Sequence, residues 1–260
     1  MRTLLNFIRK KPQPPRNPVD AKVPELQQAD LAAVFYGERM GGDFYDFVRV
    51  SPKRVLFGLL DVAGRLEENH EIVAAAQTTF RTSGAQLFAE EDVNEAEAMV
   101  ELCLQLNRAI LQSAGSVRSC AAFAGCYDEL LGTVCYFNAG HTPGLVRDST
   151  GVAELPATGL PLGLFSHTTC DASTVALEPG AVLLLVSRGI VEAKCSREEF
   201  GLESVKTGFQ GSKAASARDL CLGVLDHLQQ FTCAPPTDND VTALVLTRDR
   251  EPVGAVVASA

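Results

Sequence analysis

No stretch of the chain approaches the roughly 20 consecutive apolar residues that span a bilayer. The longest run is Ala181 to Val186, so no membrane span is expected. Positive charge is also in short supply. Lysine and arginine number 23 against 32 aspartates and glutamates, for a formal net charge of -9. A protein that grips nucleic acid needs a clustered basic face, and a nucleic-acid partner is therefore not expected. The eight cysteines, at 103, 120, 126, 135, 170, 195, 221 and 233, include no Cys-x-x-Cys pair, which argues against a zinc site. Buried free thiols in a reducing compartment are the expectation. Gly41-Gly42 alone does not make a phosphate-cradling loop, and there is no internal repeat. Between Met1 and Lys11 the apolar residues Leu4, Leu5, Phe7 and Ile8 are too few for a secretory signal and lack a small-residue cleavage site. That segment reads as a frayed tail on a soluble, cytoplasmic protein.

What is present is enough apolar material, 46% of 260 residues, to bury one sizeable core. Five prolines between Lys11 and Pro24 fix the backbone and remove donors, so an extended linker is expected there. The domain organisation is then a tail and linker over 1–25, a folded domain over 26–250 and a second tail over 251–260. Short apolar runs at Leu31 to Tyr36, Val55 to Asp61, Ala121 to Tyr127, Gly132 to Asn138, Val182 to Ser187 and Val241 to Thr247 read as strands. Helical spacing marks Glu71 to Ala89, Val93 to Ala114 and Ala214 to Phe231, where Leu220, Val224 and Leu228 recur every four residues. Strands paired by short turns, as around Tyr127 to Gly132, predict antiparallel sheets covered by helices, an α+β fold.

Aspartates gather at the predicted strand ends. Asp43 and Asp46 lie in MGGDFYDF, Asp61 closes VLFGLLD, and Asp238-Asn239-Asp240 opens VTALVL. Carboxylates converging from separate segments suit a hard divalent cation. The same residues also suit turns and caps, whose amides they satisfy.

The wording and order of these segments resemble the SpoIIE- and RsbU-type serine/threonine phosphatases of the metal-dependent PPM superfamily. Met40 to Phe47 is similar to that family's GGD-x-YD-F, Asp61-Val62-Ala63-Gly64 to its D-V-S-G, and Phe137 to Pro143 to its N-A-G-H-x-P. Gly159 to Phe165 follows G-x-P-L-G, Leu183 to Ala193 follows LLLYTDGVxEA, and Asn239 to Thr242 stands where D-D-x-T is usual. The resemblance implies an α-β-β-α sandwich with a dinuclear Mn2+ or Mg2+ site at one edge. There Asp61 bridges the ions, the Val62 carbonyl joins the second, and Asp43 contributes directly or through water; Asn239 and Asp240 fall at the remaining metal positions. Metal-activated water then attacks the phosphorus of a phosphoserine or phosphothreonine, on a regulatory protein such as an anti-sigma-factor antagonist.

Two positions depart from the family wording. Arg188 replaces the aspartate of T-D-G and cannot coordinate a cation; Asn239 replaces the first aspartate of D-D-x-T and brings no charge. The expectation is that the Arg188 guanidinium lies near Asp61, fills the place of the first ion and offers phosphate a bidentate donor. Two readings follow, a working phosphatase, with one ion among its possibilities, or a catalytically impaired module that binds a phosphoprotein or signalling partner. His141 is expected to be structural, and His70, close after Asp61, is a lesser candidate for a general acid.

Overall fold

The computed structural model describes residues 21–36, 42–64, 66–114, 118–232 and 240–250, with the backbone alone for 66–68. Five strands make one antiparallel sheet: β2 (Asp43–Arg49), β3 (Arg54–Val62), β4 (Cys120–Asp128), β5 (Thr133–Ala139) and β8 (Ser173–Ala176), adjacent in that order. Five more make the other: β1 (Ala29–Tyr36), β12 (Val241–Arg248), β9 (Val182–Val186), β6 (Gly144–Arg147) and β7 (Val152–Leu155). The strands β10 (Lys194–Cys195) and β11 (Glu198–Glu199) form a small separate hairpin.

Helices cover both outer faces. α1 (Leu66–Leu87) and α2 (Glu95–Ser113) lie on the first sheet, while α4 (Gly201–Gly211) and α5 (Ala217–Phe231) lie on the second; α3 (Arg188–Val191) is a single turn after β9. The core is accordingly threefold. Leu56, Phe80, Met99 and Phe137 fill the space under α1 and α2; Phe57, Phe123, Leu185 and Leu244 fill the space between the sheets; Leu184, Phe209, Leu220 and Val245 fill the space under α4 and α5. Successive residues of β3 point to different layers, so both of its faces are buried. That is why it reads as a continuous apolar run rather than an alternating one. The predicted α-β-β-α architecture is the one observed.

Several local expectations need amendment. The ordered body begins before residue 26: Ala21 and Leu26 pack on the inter-sheet core, and Arg49 donates to the carbonyl of Glu25. The rest of the predicted linker and both tails fall outside the described residues. α4 gave no clear sequence signal because glycines 201, 208 and 211 dilute its helical pattern. It forms because Val205 and Phe209 are buried against the sheet. α5 begins at Ala217, capped by the Ser216 side chain, and Asp30 of β1 accepts from the Ala217 amide at 2.7 Å. Six cysteines are free and buried as expected. Cys195 is not free but disulfide-bonded; it sits in the β10–β11 hairpin outside the apolar core, and spacing along the chain carries no trace of a pairing across space.

Candidate active site

Antiparallel pairing brings the C-terminal ends of β3, β5 and β9 to the same edge as the N-terminal ends of β2 and β12. Asp43 opens β2 directly opposite Asp61 near the end of β3, so two carboxylates face each other across one strand pair. Glycine precedes Asp43 for a steric reason. A Cβ at Gly42 would run into the carbonyl of Val62, which closes the same ladder.

Asp43 is held from the opposite sheet. Thr242 of β12 donates its hydroxyl to Asp43 Oδ2 at 2.7 Å, and Ser187 at the end of β9 supplies a further side-chain hydrogen bond. Ser187 and Thr242 are both fully buried and lock together, the Thr242 amide donating to Ser187 Oγ at 3.0 Å. Asp240 is 5% exposed, so it turns inward despite standing just before β12. Burial raises the Asp43 carboxyl to about 7, and the charges of Asp61 and Asp240 push it the same way, against those two hydrogen bonds. Burial also raises Asp61, and Arg188 opposes that shift.

Arg188 opens α3 at the same edge and pairs with Asp61. Its Nε lies 3.3 Å from Asp61 Oδ2 and its Nη2 donates to Oδ1 at 3.4 Å, so the guanidinium faces both oxygens of the carboxylate expected to bridge two metals. The side chain is 53% exposed and reaches Glu192 at 4.0 Å on its other flank. The carbonyl of Val62 accepts from Asn69 Nδ2 at 3.2 Å. No three carboxylates, imidazoles or thiolates among the described residues converge closely enough to hold a metal unaided. The described donors therefore do not make up a metal centre by themselves. Asp43, Asp61 and Asp240 are nonetheless near enough for their charges to act on one another. Asn239 and Asp238 lie outside the described residues.

The remaining candidates separate. Asp46 leaves the site altogether: it is 2% exposed, and both of its oxygens bind Arg81 of α1, at 2.7 and 2.9 Å. Three residues along a strand place it on the opposite face from Asp43. His141 is buried, and Asn138 Oδ1 caps its amide at 2.8 Å, which is a structural part for the N-A-G-H segment. His70 sits half-buried in the second turn of α1. Sequence reasoning gave no role to Ser187, Thr242 or Asn69. Threonine in D-D-x-T was the one available signal.

The SpoIIE family, described as stage II sporulation protein E, matches residues 51–249. Phosphoserine phosphatase RsbU of Bacillus subtilis is 24% identical over 231 residues, covering 87% of this chain and 65% of that protein. Protein IcfG of Synechocystis is 23% identical over 205 residues, 71% of this chain and 32% of that one. The chain thus spans less than two thirds of the length of these relatives. Among solved structures, the RsbU and RsbW domains of Rv1364c from Mycobacterium tuberculosis superpose with a TM-score of 0.72 at 22% identity, over 87% of this chain and 62% of that one. The PP2C phosphatase domain of SpoIIE from Bacillus subtilis, with a fragment of its regulatory domain, gives 0.69 at 16%, over 86% and 64%. These neighbours share the sandwich described above, and with residues 51–249, more than half of the chain, matched by the family, the chain belongs to the SpoIIE family.

Proposed function

We propose that this chain is a protein serine/threonine phosphatase of the metal-dependent type in which the Arg188 guanidinium stands where one of two ions is expected. The observation that carries this reading is the Arg188–Asp61 pair, 3.3 and 3.4 Å at the two carboxylate oxygens. Asp43, Asp61 and Asp240 would hold a single Mn2+ or Mg2+, with Asn239 and the Val62 carbonyl as the remaining oxygen donors. When bound, such an ion supplies charge neutralisation and a lowered pKa for water. Arg188 is half in solvent, carries a permanent charge and presents a planar donor fork, the chemistry that meets a phosphoryl group bidentately. Thr242 and Ser187 keep Asp43 aimed into the edge. The substrate is a phosphoserine or phosphothreonine side chain on a regulatory protein.

One feature favours the second reading, a phosphoprotein-binding module without turnover. Both Asp61 oxygens face a cation that cannot activate water. Phosphate release from a phosphoserine peptide across a Mn2+ titration separates the two, with Asp61→Asn as the control. Metal-dependent release that Asp61→Asn abolishes supports the phosphatase. A folded protein that releases nothing at saturating Mn2+ supports the binding module. In either case Arg188→Asp combined with Asn239→Asp restores the family ligand set, and a gain in metal-dependent release is expected. No gain in a folded double variant would refute the stand-in role of Arg188.

A further inference from the structure

Beside the carboxylate edge, on the β4 side, the rim is an uncharged loop. Residues 156 to 170, most of the connection from β7 to β8, include no aspartate, glutamate, lysine or arginine, in a chain whose net charge is -9. The backbone of this loop is fixed at several points. The amides of Thr158 and Gly159 donate to the Asn138 carbonyl at 2.8 and 3.1 Å, and Leu162 exchanges hydrogen bonds with Cys120 at 2.8 and 2.9 Å. Asn107 of α2, 1% exposed, holds the next turn from both sides, accepting from the Gly163 amide at 2.8 Å and donating to the Phe165 carbonyl at 2.9 Å. Pro161 is seated on the turn after β5, where a Cβ at Gly140 (φ +68) would come within 2.5 Å of its ring.

What this scaffold shows to solvent is apolar. Leu162 is fully buried, but Leu160 and Phe165 on either side of it are 52% and 54% exposed. A single exposed apolar side chain is ordinary. These two are held out on a pinned backbone, on a stretch without charge, at the same edge as the carboxylates. Their distance from that edge follows from the ladder. Leu162 bonds to Cys120, which opens β4 opposite Val62 of β3, the residue after Asp61. The loop thus runs two strand spacings from β3, about 10 Å, which equals the rise of about three residues of extended chain.

We propose that Leu160 and Phe165 form a docking surface for an apolar side chain of the substrate phosphoprotein, about three residues along an extended segment from the phosphorylated one. The inference rests on the phosphoprotein reading above and adds a sequence preference to it. Arg188 meets the phosphate, and the uncharged loop meets what stands beside it. An acidic or basic side chain gains nothing there, because the loop offers no opposite charge, whereas a leucine leaves water against two half-exposed apolar groups.

The test is fluorescence-anisotropy titration of the full chain with Mn2+ present, using labelled peptides that carry the phosphonate analogue of phosphoserine, whose C–P bond is not hydrolysed. One peptide is otherwise polar, two carry a leucine three residues before or three residues after the phosphonate, and a fourth carries both leucines with plain serine. Wild type is expected to bind one of the two leucine phosphonates about tenfold more tightly than the polar one. Leu160→Ser and Phe165→Ser are each expected to cut that preference below about threefold, while inorganic phosphate competes as it does with wild type. Thermal melts confirm that the variants fold, and the wild-type comparison needs neither of them. Equal binding of the polar and leucine phosphonates by wild type, or a preference that survives both substitutions in folded protein, overturns the docking surface and leaves the phosphoprotein reading standing. Wild type that binds no phosphonate better than the serine peptide overturns both.

Discussion

His141 shows how one buried side chain ties stability to pH. It is 5% exposed, and burial lowers its pKa from 6.5 to about 4, with the Arg188 charge pushing the same way against a hydrogen bond to the Thr142 backbone. A histidine depressed in the folded state is protonated first in the unfolded chain. Stability is therefore intact above about 6.5 and falls as pH drops toward about 4. Linkage puts the loss between pH 7 and pH 5 at about 2 kcal/mol. Between pH 7 and pH 5, urea denaturation should show wild type losing about 2 kcal/mol more stability than His141→Gln. Asp43, raised from 3.8 to about 7, works in the opposite direction over the same range, its destabilisation growing as pH rises. The difference between wild type and variant is thus the quantity to read. His141 was legible in the sequence as a structural residue; the size of its shift was not, because it depends on what the fold packs around it.

At the scale of elements, the two aspartates of GGDFYDF divide their work by strand geometry. Asp43 faces the edge and its strained carboxylate neighbours. Asp46 faces α1, where Arg81 holds both oxygens and Gln77 donates to Oδ2 at 3.1 Å. Arg81 is 31% exposed, so solvent screening weakens its share of the pair. Asp46→Ala should still cost about 2–3 kcal/mol in urea denaturation, since it leaves Arg81 and Gln77 without their acceptor and unlatches α1 from β2. Asp43→Asn should hold or raise the melting temperature at pH 8, because it removes a carboxylate that burial and two neighbours disfavour. Equal losses from both substitutions would contradict the division. A second latch of the same kind starts β3. Arg54, 4% exposed, binds Glu95 Oε1 at 2.6 Å and the carbonyls of Glu90 and Glu91, and so clips the α1–α2 connection to the sheet.

For the whole molecule, the decisive contact surface is the one between the sheets. Phe57 is fully buried there, near the stacked rings of Phe123 and Tyr136, whose centroids are 5.1 Å apart. Phe57→Ala should lower stability by about 3–5 kcal/mol. Because the candidate site is assembled from both sheets, its phosphate binding should melt in the same transition as the circular dichroism signal. Separate transitions would mean that the sheets fold independently of each other.

The sequence by itself determined six of the strands and three of the helices, because apolar runs and four-residue spacing are local properties that any packing must respect; the sandwich followed from the family resemblance, and β2, β6, β7, β8 and α4 were not marked. It also placed Asp43, Asp61 and Asp240 at strand ends, and it marked Arg188 as a cation where a carboxylate was expected. Only the tertiary structure decided that Arg188 faces both oxygens of Asp61, that Asp46 belongs to α1 rather than to the edge, and that Ser187 and Thr242 hold Asp43. Asp43 and Thr242 are 199 residues apart, and their contact exists because two sheets of fixed register are pressed together by the apolar layer between them.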